Sequence, residues 1–216
     1  MRQIHKLVNA FRVLRLRASG ASVERGVTVG RCVRCERGVV IQANAVLGDQ
    51  VEASGNVRIG NGVRIERLVE LRGNITIGEG SVVGAFSILS TMPSGLLEIG
   101  KDVYVNAFSV IGAAQRVEIA DHCIFAAYVQ ITDATHGIED PDALTKHSSI
   151  SAAPVRIEEN VWLGSGAMVT KGVTVGRGAV VGAKALVRSD IPPMAVAYGI
   201  PARVVRSRSS EAGAQA

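Results

Sequence analysis

A histidine set in a polar excursion is the side chain of this sequence best suited to move a proton near neutral pH. His136 sits in Ile131-Thr132-Asp133-Ala134-Thr135-His136-Gly137, at the start of a stretch that runs from Asp133 to Pro154. His147 follows in the same stretch. Loops of that length in compact domains are usually functional or unstructured. His136 therefore reads either as a general base or as an exposed loop histidine, and its position alone leaves both open. No metal site is expected. The four histidines contain no H-x4-H pair, and the single C-x-x-C of Cys32 and Cys35 has no second pair or histidine pair beside it. Cys35 and Cys123 read as core fillers.

The elements that must hold His136 follow from a six-residue period. Every sixth residue from Val23 to Leu89 is apolar. The period resumes at Ile99, Val105 and Ile111, then at Ile119, Phe125 and Ile131, and again from Ile157 to Val187. Neither a helix nor a simple strand has this period. Glycine often follows the apolar residue directly, and Gly or Asn recurs two residues further on, where a sharp corner with positive φ is tolerated. One inward side chain and one corner per six residues define a solenoid of three-sided coils. The chain is expected to be all-β: a triangular prism of about eight coils, on the order of 40 Å tall at the spacing of neighbouring strands, with a short N-terminal helix and a long excursion loop.

Three breaks interrupt the period: between Leu89 and Ile99, between Ile111 and Ile119, and between Ile131 and Ile157. They are expected to mark where the chain leaves the scaffold. The organisation reads as an amphipathic basic helix over 1–20, the repeat prism over 21–191 with its site loop at 133–154, and an extension over 192–216 whose end frays. The helix carries Ile4, Leu7, Val8, Phe11 and Leu14 on one face. It is expected to cap the first coil or contact neighbouring subunits. Its basic flank suits, as a second reading, an anionic membrane surface.

Hydrophobic residues make up 47% and aromatics only 4% of the 216 residues. That suits a narrow prism filled by Val, Ile and Leu. The formal charge of +5 is compatible with an anionic partner or cofactor, but so few aromatics argue against nucleic acid. No apolar run reaches membrane-spanning length and no secretory signal is evident, so a cytoplasmic location, with peripheral contact at the inner membrane face, is the expectation.

The run Pro154-Val155-Arg156-Ile157-Glu158-Glu159-Asn160-Val161-Trp162-Leu163-Gly164-Ser165-Gly166-Ala167 and the endings Ser189-Asp190-Ile191-Pro192-Pro193 and Gly199-Ile200-Pro201-Ala202-Arg203 resemble the hexapeptide-repeat acetyltransferases. Within that group the chain is most similar to sugar, maltose and galactoside O-acetyltransferases and to relatives in surface-polysaccharide synthesis. The resemblance is strong over 99–206 and generic over 23–98. It implies a left-handed parallel β-helix, a homotrimer, and acetyl-CoA in the groove between prisms, with the loop of one subunit reaching a site shared with the next. It implies O-acetylation of a sugar or glycan, with His136 as base and Asn106 holding the acceptor hydroxyl or the tetrahedral intermediate. Ser165 and Ala183 would bind the pantetheine arm through their backbone, Trp162 would wall the groove, and Arg206 would meet the nucleotide end. Two departures stand out: Ala114 replaces a family aspartate near the acceptor, and Arg188 replaces a threonine near CoA. The alternatives are N-acetylation of an amino sugar or xenobiotic, and a non-catalytic trimeric scaffold.

Overall fold

The computed structural model describes residues 2–137, 144 and 148–208. His147 and the C-terminal residues beyond 208 lie outside them. The chain winds as a left-handed parallel β-helix of about nine turns with three sheet faces. The first face stacks strands from Ser22–Val23 to Thr174–Val175, the second from Thr28–Val29 to Val180–Val181, and the third from Arg34–Cys35 to Leu186–Val187. Ile41 pairs with Ile59 and Ile59 with Ile77, so each coil advances eighteen residues in register. The side chains that keep the six-residue period point inward. Ile41, Ile59, Ile65, Leu71, Leu89, Ile111, Phe125 and Leu163 are all fully buried. A backbone hydrogen-bond ladder along every face satisfies the groups that this burial takes out of water.

The coils approach so closely that some corners admit no side chain. A Cβ on Gly30 would lie 2.4 Å from the Gly48 carbonyl carbon, and one on Gly164 would lie 2.6 Å from the Ala183 nitrogen. Cys35 and Cys123 are buried in the core and Cys32 is exposed at a corner. Burial pushes the Cys35 thiol up to about 12 and the Cys123 thiol up to about 11. An unfolded thiol ionises near pH ~8.5, so the stability held by these neutral thiols is complete below that pH and declines as pH rises toward the folded values. At pH 8 a maleimide should modify Cys32 alone in the native protein and all three thiols in denaturant. Mass spectrometry of the adducts checks this.

Two of the three breaks in the period do not leave the scaffold. Strands Ile88–Thr91, Leu96–Ile99, Val110–Ala113 and Arg116–Ile119 are four residues long, and the extra residues widen the corner between the third and first faces. Only the break after Ile131 is an excursion. The prism also continues past Val187. Ile191 bridges to Val175, Ala195–Tyr198 pairs with Val180–Val181, and Arg203–Ser207 adds an antiparallel rung. Ile191 and Ala197 are both inward and buried. The period there slips by two residues, which is why it fades from view in the sequence.

The N-terminal helix spans Arg2–Ala18 and closes the first coil, but with its polar side. Asn9 Nδ2 donates to Val27 O (2.9 Å) and Asn9 Oδ1 accepts from Val29 N–H (2.8 Å), imitating a strand. Arg12 donates to Val29 O, Arg17 to Val23 O and Ser19 to Cys35 O. Leu16 is the buried apolar anchor. The stripe of Ile4, Leu7, Val8, Phe11 and Leu14, which amphipathic reasoning turns toward the prism, faces solvent instead, with Leu7 and Phe11 each 71% exposed. The terminal coil presents open strand edges, and hydrogen-bonding side chains rather than apolar ones close them. Among the described residues no helix is long and apolar enough to cross a membrane.

Candidate functional site

The excursion starts from a buried clamp. Asp133 is fully buried, and its carboxylate accepts three backbone N–H groups, from Ala114, Gln115 and Arg116, each at 2.7 Å. Its carbonyl accepts from Ala153 N–H at 2.9 Å, which ties the outgoing and returning ends of the loop together. From this foot Ala134–His136 runs antiparallel to Ile150–Ala152, with His136 opposite Ile150. Gly137 N–H donates to Ser149 O, and Lys171 Nζ donates to Ser151 Oγ. His136 is thus carried on a two-stranded ribbon that projects from the corner between the third and first faces, with its ring exposed. Among the described residues no carboxylate orients that ring; the ribbon does. Beneath it a 240 Å³ cleft is lined by Ser90, Met92, Gly112, Ala114 and Ala134, on the shelf made by the widened corner. Ala114 spends its amide on Asp133. Asp133 was not singled out from sequence. Its signal was an aspartate two residues after the last inward residue, Ile131, at the start of the excursion.

Asn106 lies elsewhere, at the corner between the second and third faces. Its carbonyl accepts from the buried hydroxyls of Ser87 (3.2 Å) and Ser109 (2.9 Å), which lock the turn. Its Oδ1 accepts from Ala107 N–H at 2.7 Å. With the oxygen so engaged, the Nδ2 end is the part left to donate outward. A 480 Å³ cavity beside it is lined by Arg64, Glu66, Val82, Tyr104, Asn106 and Ala107.

The same corner gathers most of the remaining candidates. Ser165 and Ala183 occupy equivalent places one coil apart, with Lys184 N–H donating to Ser165 O at 2.8 Å. Ala85, Ala107 and Ala127 continue that column of small residues downward. Trp162 stands on the second face, 52% exposed, in register with Ile124 below and Val180 above. Val180 pairs with Val196 and Val196 with Arg206, so Arg206 lies on the same outward column, roughly 14 Å above Trp162 at the strand spacing. Arg188 does not join them. It follows Leu186–Val187 at the His136-bearing corner, two coils above the loop.

The corner of Asn106 carries another mark. Leu68, Phe86, Phe108, Tyr128 and Lys184 hold positive φ there, in places where glycine or asparagine would be relaxed. The rings of Phe86, Phe108 and Tyr128 stack at 4.9 and 5.0 Å and remain largely exposed. Large side chains held at a left-handed backbone, each at a cost of order 1 kcal/mol, concentrate at functional or assembled surfaces.

Within one prism, then, the seven candidate residues fall on two different corners. His136 and Arg188 share one; Asn106, Trp162, Ser165, Ala183 and Arg206 share the other or the face beside it. A full six-residue side separates the two corners. No group of histidines, cysteines or carboxylates among the described residues forms a metal site.

Residues 56–91 and 154–189 match the bacterial transferase hexapeptide (six repeats) family. The chain is 30% identical over 141 residues to a putative lipopolysaccharide biosynthesis O-acetyl transferase of Escherichia coli, covering 62% of this chain and 72% of that protein. It is 36% identical over 110 residues to the galactoside O-acetyltransferase of the same organism, covering 51% of this chain and 53% of the relative. A hexapeptide-repeat acetyltransferase of Vibrio cholerae, solved with acetyl-CoA, superposes with a TM-score of 0.55 at 27% identity, over 61% of this chain and 69% of that one. The chain spans about half the length, or less, of several of the curated relatives it matches. Periodicity, coil geometry and similarity over most of a relative's length agree: the chain belongs to the hexapeptide-repeat transferase family.

Proposed function

We propose that the protein is an acetyl-CoA-dependent O-acetyltransferase that modifies a sugar or glycan hydroxyl in surface polysaccharide or lipopolysaccharide synthesis. It acts in the cytoplasm as a homotrimer. The observation that carries this reading is the split of the candidate residues between two corners. A rotational ring of three copies sets the His136 corner of one against the Asn106 corner of the next, and a head-to-tail contact of that kind closes on itself. The exposed aromatic stack of Phe86, Phe108 and Tyr128 supplies apolar surface for such a contact.

In the shared cleft His136 takes the proton of the acceptor hydroxyl as its oxygen attacks the thioester carbonyl. The Nδ2 group of the neighbour's Asn106 donates to the developing oxyanion. Collapse of the tetrahedral intermediate breaks the carbon–sulfur bond, and the proton passes from His136 to the departing thiol. Trp162 and the small column through Ser165 and Ala183 leave a narrow wall for an extended pantetheine arm. Arg206 suits a phosphate at the far end through its planar, permanently charged guanidinium. The alanine at position 114 leaves the acceptor side of the cleft without the family's carboxylate.

Mixed oligomers test the shared site directly. His136→Ala and Asn106→Ala should each be nearly inactive alone. Co-assembled at equal amounts, about a quarter of the interfaces regain both wild-type residues if the site spans two copies, and thiol release returns accordingly. No recovery in verified mixed oligomers would place both residues in separate roles. A screen of sugar hydroxyl and amino-sugar acceptors by the same thiol release separates O- from N-acetylation.

A further inference from the structure

The proposed reaction leaves the base of the prism unused, and that end has an unusual composition. Residues 1–37 contain nine Lys and Arg against two Glu, a net +7, whereas the whole chain carries +5. Everything above the first coil is therefore net negative, by two charges. The helix that lies across this end, Arg2–Ala18, has no acidic residue at all.

Its orientation is set by the cap. Asn9, Arg12, Arg17 and Ser19 donate to carbonyls belonging to all three sides of the first coil, so the helix lies flat over the end of the prism. The opposite side, with Ile4, Leu7, Val8, Phe11 and Leu14, then faces away from the body of the protein. Leu14 and Ile4 are 61% and 65% exposed there. Arg12 and Arg17 border the stripe on both sides while donating to carbonyls of the first coil, and Lys6 and Arg15 are exposed beside it. A continuous exposed apolar face calls for a partner.

We infer that this foot seats the protein on an anionic phospholipid surface, with the apolar stripe in the headgroup–acyl boundary and the exposed Lys6 and Arg15 among the phosphates. An in-plane amphipathic helix with a cationic flank has these features, and anionic lipid attracts a cluster of Lys and Arg at close range. A second copy of the chain fits less well. Two such ends meeting face to face would set +7 against +7. The foot also lies several coils along the prism from His136 and Asn106. In a ring of parallel prisms the three feet point the same way, so each adds to binding of the other two. The site clefts would then stand above the membrane plane, within reach of a glycan carried on a lipid.

Flotation of the full chain with vesicles tests this without reference to acetyl transfer, so it stands or falls apart from the proposed reaction. The protein should float with phosphatidylcholine vesicles containing about 30% phosphatidylglycerol, not with phosphatidylcholine alone, and should be released by raised salt. Leu7→Glu/Phe11→Glu alters only exposed side chains and should cut partitioning by about tenfold or more, with circular dichroism and sedimentation unchanged. Lys6→Glu/Arg15→Glu should weaken it similarly. No flotation with anionic vesicles, or equal flotation of the Leu7/Phe11 variant, overturns the inference. A change in oligomer size for that variant also overturns it and assigns the stripe to a second copy.

Discussion

His136→Ala is expected to lower kcat by about 10²–10⁴-fold, while the oligomer and its affinity for CoA remain. The reason is positional. His136 sits on the ribbon of Ala134–His136 and Ile150–Ala152, and no inward residue depends on its exposed ring. Of the residues proposed to hold CoA, Trp162, Ser165, Ala183 and Arg206 lie on the other corner or the face beside it, so truncating the ring leaves them untouched. Steady-state thiol release and calorimetry with CoA measure the two quantities separately. Turnover within about tenfold of wild type would remove His136 as the base. Loss of CoA affinity would show that the ring holds the cofactor instead.

The second large effect belongs to Asp133, a positioning residue. Asp133→Ala strips the acceptor from three part-buried backbone N–H groups and frees the foot of the loop. Leaving such donors unpaired costs about 3 kcal/mol in all, which for a chain of this size lowers Tm by roughly 6–12 °C. Well below that Tm, kcat should still fall by about tenfold or more, because a displaced base loses its near-attack geometry. KM for acetyl-CoA should hold, since the proposed cofactor wall is on the other corner. Asp133→Asn keeps the shape and part of the hydrogen bonding and should recover part of both losses. A variant that loses stability but keeps full kcat would make Asp133 a purely structural clamp.

Much of the scaffold was legible in the residues. An inward side chain every six residues can be satisfied only by a three-sided coil, so Val23 to Leu89 specified the prism without further help. The family pattern around Trp162 and Ser165 was equally plain. Other features were misread for identifiable reasons. The extra residues after Leu89 and Ile111 look like loops in a strict six-residue count, but they lengthen strands in register. Asp133 has no motif of its own; its importance comes from three amides that belong to a turn nearly twenty residues earlier. The helix stripe pointed the wrong way because amphipathicity shows that a face is apolar and not what that face meets.

By itself the sequence determined the period, the inward side chains, the single long excursion and the histidine that rides on it, because these follow from local spacing and the burial of apolar side chains. The tertiary structure decided which corner each candidate occupies. It set His136 and Asn106 a full side apart, buried the Asp133 carboxylate among three amides, and turned the apolar face of the helix outward. Those outcomes depend on how successive coils stack and on which hydrogen bonds an open strand edge demands, and no single stretch of chain carries that information.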